Sequence, residues 1–432
     1  MNSVLVAACL LTTVLTSGAD WPQFRGFPGM PAPAVTAPPL HWGRRKNLAW
    51  QAELPGRGVS GPILVGGKVF VTCDVGEPHN RLHLLCFQAS NGQLLWDRQL
   101  WPTGSTSHHP KTCLAAPTPA SDGRHIFAFY STNDLACFDL DGRLLWTRGL
   151  GYDFPQAHIS LGMASSPVVA DQTVVVQMEA DVEAFAFGLD VATGRTRWRR
   201  TRKRKANWAS PILWQRDPQQ PPLVVLQGSG GVEIVTARTG HLLAAYHADT
   251  STISSSVASR SLLFIPSQGL TALRFSSERV GQARPEQALK NQPVAQTNNK
   301  PQALEVVWKQ IRLRPTTASP LLHNGLLYVV TGSILKCADP ATGRLRWQLR
   351  LRGRFSSSPV AAGNHLYVFN EDGTGFVVEL GSRGRVVAKN PLEETILDTP
   401  ALTDGALFVR SDRHLWKIAK TNHSSATRKS SH

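Results

Sequence analysis

The sequence lacks the patterns that mark most enzymes and most membrane-spanning proteins. No serine sits on a nucleophile elbow, no glycine-rich loop opens a helix to cradle phosphate, and no histidine pair sits at zinc-protease spacing. The run Gly228-Ser229-Gly230-Gly231 lies between strand-like segments and reads as a hairpin turn. Helix-period patterning is nearly absent, which argues against a helical solenoid. The apolar run Val4 to Thr16 is too short to cross a bilayer. Acid is scarce: 30 Asp and Glu against 46 Lys and Arg give a net charge of +16, which favours anionic partners. Tyrosine is scarce too, with five residues against twelve tryptophans.

What is present begins with a processing signal. Val4 to Thr16 followed by Ser17-Gly18-Ala19 reads as a secretory signal peptide, residues 1–19, cut before Asp20. Lipidation at Cys9 within Val6-Ala7-Ala8-Cys9 is the weaker reading, because so few residues precede it. Export follows, with a periplasmic, envelope-associated or secreted protein as the expected product. Beyond the signal stand Cys73, Cys86, Cys113, Cys137 and Cys337, an odd number and so not a full disulfide framework. Residues 20–47 form a proline-rich arm whose aromatics are expected to pin it to the domain surface.

From Pro62 a unit repeats: a small residue and Pro, two apolar residues, a turn, two β-rich runs, and a hairpin closing on Trp. Successive copies open at Pro62, Pro119, Pro167 and Pro211, then at Leu262, Pro320, Pro359 and Pro400. The fourth has Ala244 in place of Trp, and the seventh also lacks it. The fifth is interrupted at 276–301 by a polar stretch read as a disordered insertion. The eighth has no final strand before a polar tail at 420–432, also read as disordered. Leu48 to Leu54, carrying Trp50, supplies that missing strand and would close a ring without exposed sheet edges. The tryptophan spacing fits propeller blades of about 40–50 residues. The fold expected over residues 48–419 is an all-β, eight-bladed propeller closed by its N-terminal strand.

The hairpin Cys337-Ala338-Asp339-Pro340-Ala341-Thr342-Gly343-Arg344-Leu345-Arg346-Trp347 resembles the tryptophan-docking motif of pyrroloquinoline-quinone-type (PQQ-like) propeller repeats. That motif has a small residue, Asp two later, then Gly and a closing Trp. Gly188, Asp190, Gly194 and Trp198 fit it; Cys86, Gly92 and Trp96 fit with Gln88 in the Asp place. Cys137, Asp139, Gly142 and Trp146 fit with a turn one residue shorter. The resemblance covers nearly the whole chain beyond the signal. It implies that Trp50, Trp96, Trp146, Trp198, Trp308 and Trp347 fasten neighbouring blades. It places the chain in the quinoprotein alcohol dehydrogenase-like superfamily, closer to the non-enzymatic propellers of outer-membrane assembly. Those imply a monomeric scaffold without cofactor, binding a protein or an anionic envelope component. The alternative is an alcohol or sugar dehydrogenase using PQQ and calcium. This chain lacks the adjacent cysteine pair many such enzymes carry, and their calcium ligands and catalytic Asp do not map onto its motifs.

Candidate sites are few. Cys86, Cys137 and Cys337 share one repeat position and read as packed small residues. Cys73 and Cys113, placed in loops of one face, are either a disulfide or two free thiols. His108 and His109, with Asp74, His79 and His83 in or near the facing loop, are candidates for a metal site or simply solvated; their spacing matches no strong ligand motif. The isolated pair Glu393-Glu394 reads as surface. The more orderly signal is basic: Arg199, Arg202, Arg204, Arg312, Arg314, Arg352 and Arg354 follow closing tryptophans and would form an arc on one face. That arc could hold phosphate or carboxylate groups, or be a solvated rim. Export makes nucleic acid an improbable partner.

Overall fold

The computed structural model describes residues 20–26, 36–76, 80–275, 301–403 and 405–421. The stretch read as a signal peptide, the insertion up to residue 300 and the tail from residue 422 lie outside the described residues.

Eight sheets, each built on four antiparallel strands, form the ring. The first blade comprises Ile63–Val65, Lys68–Val75, Arg81–Gln88 and Leu94–Leu100, ordered from inner to outer strand. The last takes Ala401–Thr403, Ala406–Arg410 and His414–Ala419 from the C-terminal end and Leu48–Glu53 from the N-terminal end. This closure is the one the sequence implies. Middle strands are almost wholly buried, whereas outer strands alternate: Leu345–Arg350 reads half-buried, exposed, buried, exposed along its first four residues. A middle strand packs on both faces, while an outer strand has one face in water.

The docking hairpin explains both its small residue and its glycine. Cys337 pairs directly with Trp347, Cys86 with Trp96, Cys137 with Trp146 and Gly188 with Trp198. A methyl group at Gly188 would lie 2.2 Å from the Trp198 ring, so the position beneath the indole must be small. The indole then crosses to the next blade. Trp198 Nε1 donates to Ala237 O at 2.7 Å, and its ring covers Gly240, which has φ +65°. Trp50, Trp96, Trp146 and Trp308 do the same over Gly92, Gly142, Gly194 and Gly343. Trp347 covers Gly384 and bonds Gly381 O at 3.0 Å. The three repeat-position thiols are buried with pKa values pushed up by desolvation, Cys86 and Cys137 to about 12 and Cys337 to about 11; they are packing groups, not nucleophiles.

Two junctions lack the tryptophan and are closed differently. Beside Ala244, residues Gln302–Ala303, directly after the interrupting stretch, add a short parallel strand to blade four. Leu304 and Phe275 pack there with Trp214, whose Nε1 donates to Ser259 O of blade five at 2.6 Å. At blade seven the arm substitutes: Trp42 lies on Tyr367 and Phe369, and Tyr367 Oη donates to Pro38 O at 2.8 Å.

The arm is not simply laid on the surface. Trp21 pairs with Leu64 on the channel-lining strand of blade one, and Pro22 O accepts from Ser121 N of blade two at 2.8 Å. Arg25 reaches across to donate to Ser256 O of blade five at 2.7 Å. Because this segment runs antiparallel to an inner strand that leads away from the inter-blade loops, it enters the axial channel from the opposite side. Phe24 ends as part of the channel floor.

Candidate functional site

The second residue before each inner strand faces the axis, and in seven blades it is Ser or Thr. Together these residues form a belt around the channel. Gly61 N donates to Thr118 Oγ1, Thr118 N to Ser166 Oγ, Ser166 N to Ser210 Oγ and Ser210 N to Ser255 Oγ. Ser255 N then donates to Ser319 Oγ, Ser319 N to Ser358 Oγ and Ser358 N to Thr399 Oγ1, all seven bonds being 2.9–3.0 Å. The sequence signal was the small residue before the repeat's proline; its hydroxyl was not recognised as a fastener. Gly61 interrupts the belt because a Cβ there would meet Thr399 O at 2.6 Å.

Above the belt lies a cup of about 420 Å³, with Phe24 at its base and Val59, Ala164, Leu161, Trp208 and Ile253 among its apolar wall. Its mouth opens between the inter-blade loops. The loop from Trp101 to Pro119 leans over it: His109 N bonds Leu161 O at 3.0 Å, and Lys111 Nζ bridges to Glu371 Oε2 of blade seven at 2.9 Å. Burial would raise the Glu371 carboxyl, but hydrogen bonds from Lys111 and Ser356 outweigh it and hold it below the usual range.

Asp398 is the unusual acid of this wall. Its Oδ2 accepts Arg410 N at 3.2 Å, while Oδ1 is buried without a hydrogen-bond partner. Desolvation pushes its pKa up to about 8. Between about pH 4 and 8 the unfolded chain's carboxyl is ionised while the folded one keeps its proton. Wild-type stability therefore falls as pH rises through that window and levels off above it. An Asp398→Asn variant is expected to lose this slope, on the order of a few kcal/mol. Denaturation midpoints across pH 4–9 test this, and a slope that persists in the variant would assign it elsewhere.

The predicted site residues divide. Cys73 is not at a loop but inside Lys68–Val75, opposite His83, and Arg410 Nη2 lies 3.2 Å from its sulfur. Cys113 is buried in the inter-blade loop, packed with Ala115 and Ala116; both thiols are unbridged, and burial raises both. The histidine cluster also disperses. His83 bonds Asp97 at 2.9 Å, Asp74 accepts the Ala115 amide at 3.4 Å, and His109 Nδ1 accepts Lys111 N at 3.0 Å. His108 lies at His109 O, 3.2 Å away, and His79 falls outside the described residues. Among the described residues no three His, Cys, Asp or Glu side chains converge as metal ligands. Glu394 is buried rather than exposed, bound by His414 at 2.8 Å and Arg413 at 3.2 Å.

Of the basic arc, Arg202 must be withdrawn. Its side chain is only 6% exposed and is clamped by Glu179 at 2.7 Å and Glu233 at 2.8 Å, so its charge is spent joining blades three and four. Arg199 lies over the rings of Phe154 and Phe185. Arg204, Arg312, Arg314, Arg352 and Arg354 are exposed, and none forms a salt bridge among the described residues. All belong to inter-blade segments on the side where the cup opens. Exposed Trp101, Tyr152, Leu161, Val182, Ile253 and Ile311 also lie in loops of that face, an apolar component the sequence reading missed.

A family model described as outer membrane protein assembly factor BamB matches residues 44–152, 81–299 and 300–380. No curated protein matches the sequence. Among solved structures, BamB from Moraxella catarrhalis aligns over 87% of this chain and 98% of its own, at 15% identity and TM-score 0.58. A europium-containing methanol dehydrogenase aligns over 87% and 88%, at 14% identity and TM-score 0.60. The quinohemoprotein alcohol dehydrogenase from Comamonas testosteroni aligns over 93% and 80%, at 12% identity and TM-score 0.63. At such identities the likeness is one of fold.

Proposed function

Because this chain belongs to the family described as outer membrane protein assembly factor BamB, we propose that it is an exported, non-catalytic ring that binds an acidic protein partner at the cell envelope. The observation that carries this reading is the loop face. Exposed apolar side chains such as Trp101 and Ile311 share it with arginines that form no salt bridge among the described residues. Apolar anchors supply affinity in such interfaces, and unpaired charge supplies steering and partner choice. The opposite mouth is filled by the chain's own Trp21 to Arg25 segment, which favours the loop face as the docking side.

Changing Arg204, Arg312, Arg352 and Arg354 together to Ser is expected to slow association about tenfold or more at low salt and to flatten its salt dependence. Photo-crosslinkers at Trp101 and Ile311 in cells, followed by binding kinetics with the captured protein, provide the test. Unchanged kinetics in the quadruple variant would remove the arginines from the interface.

The quinone-enzyme reading fits the donors poorly. The carboxylates nearest the cup are Glu371, tied to Lys111 and Ser356, and Asp398, which holds its proton near neutrality. Neither is arranged to share a calcium ion, and every described cysteine is buried in packing. Adding PQQ with Ca²⁺ decides: stoichiometric binding with dye-linked alcohol oxidation would overturn the non-catalytic reading.

A further inference from the structure

The belt leaves a chemical remainder. Each of Thr118, Ser166, Ser210, Ser255, Ser319, Ser358 and Thr399 uses its oxygen to accept an amide from the preceding blade. A hydroxyl carries one hydrogen to donate as well, and among the described residues no protein acceptor takes it from any of these seven. All are more than nine-tenths buried, and all line the cup. A buried donor without an acceptor costs roughly 1–3 kcal/mol. Seven on one ring, facing a cavity of about 420 Å³, therefore call for an acceptor-rich occupant.

We propose that the axial cup is a binding site for a small oxyanion, a phosphate or small carboxylate, held by this ring of hydroxyl donors. Charge on the surroundings agrees with an anion. Arg354 stands beside Glu371, whose amide donates to its carbonyl at 2.8 Å, and Arg25 crosses beneath. Of the two acids, Glu371 is neutralised by Lys111, and Asp398 is protonated near neutral pH and so is itself a donor. Neutral sugars suit the ring less well, since their hydroxyls would bring donors of their own to a wall already rich in them. The Lys111–Glu371 bridge crosses the mouth, so its opening would let a ligand in. The cup opens on the same face as the proposed docking surface but uses different groups, the belt hydroxyls rather than the exposed arginines, so its failure would leave that reading intact.

The experiment titrates the full exported chain with inorganic phosphate, succinate and glucose by calorimetry, at pH 7 and low salt. Phosphate or succinate is expected to bind with one-to-one stoichiometry, whichever is tighter naming the class, with glucose not binding. Removing donors in Ser255→Ala and Ser319→Ala should weaken binding about tenfold each. Because those changes could also loosen the ring, Ala164→Leu serves as a second variant. It leaves every belt bond in place while narrowing the cup from its apolar wall, and should weaken binding several-fold while circular dichroism is unchanged. Silence with both anions would mean that the hydroxyls are served by water alone and overturn the proposal. So would undiminished binding to Ala164→Leu, or glucose binding as tightly as the anions.

Discussion

Replacing Trp198 with alanine is expected to destabilise the ring by about 3–5 kcal/mol, the usual cost of emptying a large aromatic site in a core. Its indole is 8% exposed and serves two blades at once. It lies on Gly188 of its own sheet, covers Gly240 of the next and donates to Ala237 O. Urea unfolding followed by circular dichroism should show the midpoint falling well below that of Trp101→Ala, whose indole is 64% exposed. Coupling sharpens the test. Gly240→Ala places a methyl 2.5 Å from the indole, so it should cost markedly more in the wild-type background than in Trp198→Ala. The part that remains is the strain of a positive φ for alanine. Equal costs in the two backgrounds would show that the indole does not dock there.

Arg202→Ala should cost about 3–5 kcal/mol as well, and should not behave as the loss of a surface ligand contact. The substitution leaves Glu179 buried at 1% side-chain exposure without its countercharge. Burial already raises the Glu179 carboxyl above its usual range despite Arg202. A raised carboxyl takes up its proton in the folded state before the unfolded chain does, so the variant should regain stability as pH falls toward the ordinary carboxylate range. Adding Glu179→Gln should recover much of the loss at neutral pH, because a neutral amide can stay hydrogen-bonded to Gln177. Arg204→Ala, two residues on and exposed, should change the midpoint little. If Arg202→Ala proves as mild as Arg204→Ala, the buried pair is not holding blades three and four together.

These two side chains show how far the sequence could be read. Trp198 was legible as a fastener because its role repeats: Trp50, Trp96, Trp146, Trp308 and Trp347 stand at equivalent places, and repetition is visible along a chain. Arg202 was misread because it has no such copies. It sits among Arg199, Arg200, Lys203 and Arg204, and only its burial against Glu179, with Glu233 shared from the next blade, distinguishes it. The same limit hid the replacement fastenings. Ala244 and the seventh hairpin were recognised as lacking tryptophan, but the strand Gln302–Ala303 and the ring of Trp42 arrive from far along the chain. Glu394 looked like one of two surface acids until His414 and Arg413 were brought against it.

The hairpin at Cys337 to Trp347, its copies, the eight-blade count and the closing strand at Leu48 were determined by the sequence itself. They depend on local turn chemistry and on a period, both of which are properties of order along the chain. The belt of hydroxyls, the cup above it, the N-terminal segment threaded through the channel and the loss of Arg202 from the basic face were decided only by the tertiary structure. Each is a meeting of residues from different blades around one axis, and circular closure sets such distances without leaving a mark on sequence spacing. A serine before a proline reads as a small residue in a turn. Only the ring reveals that four of these, with Thr118, Ser255 and Thr399, face one another.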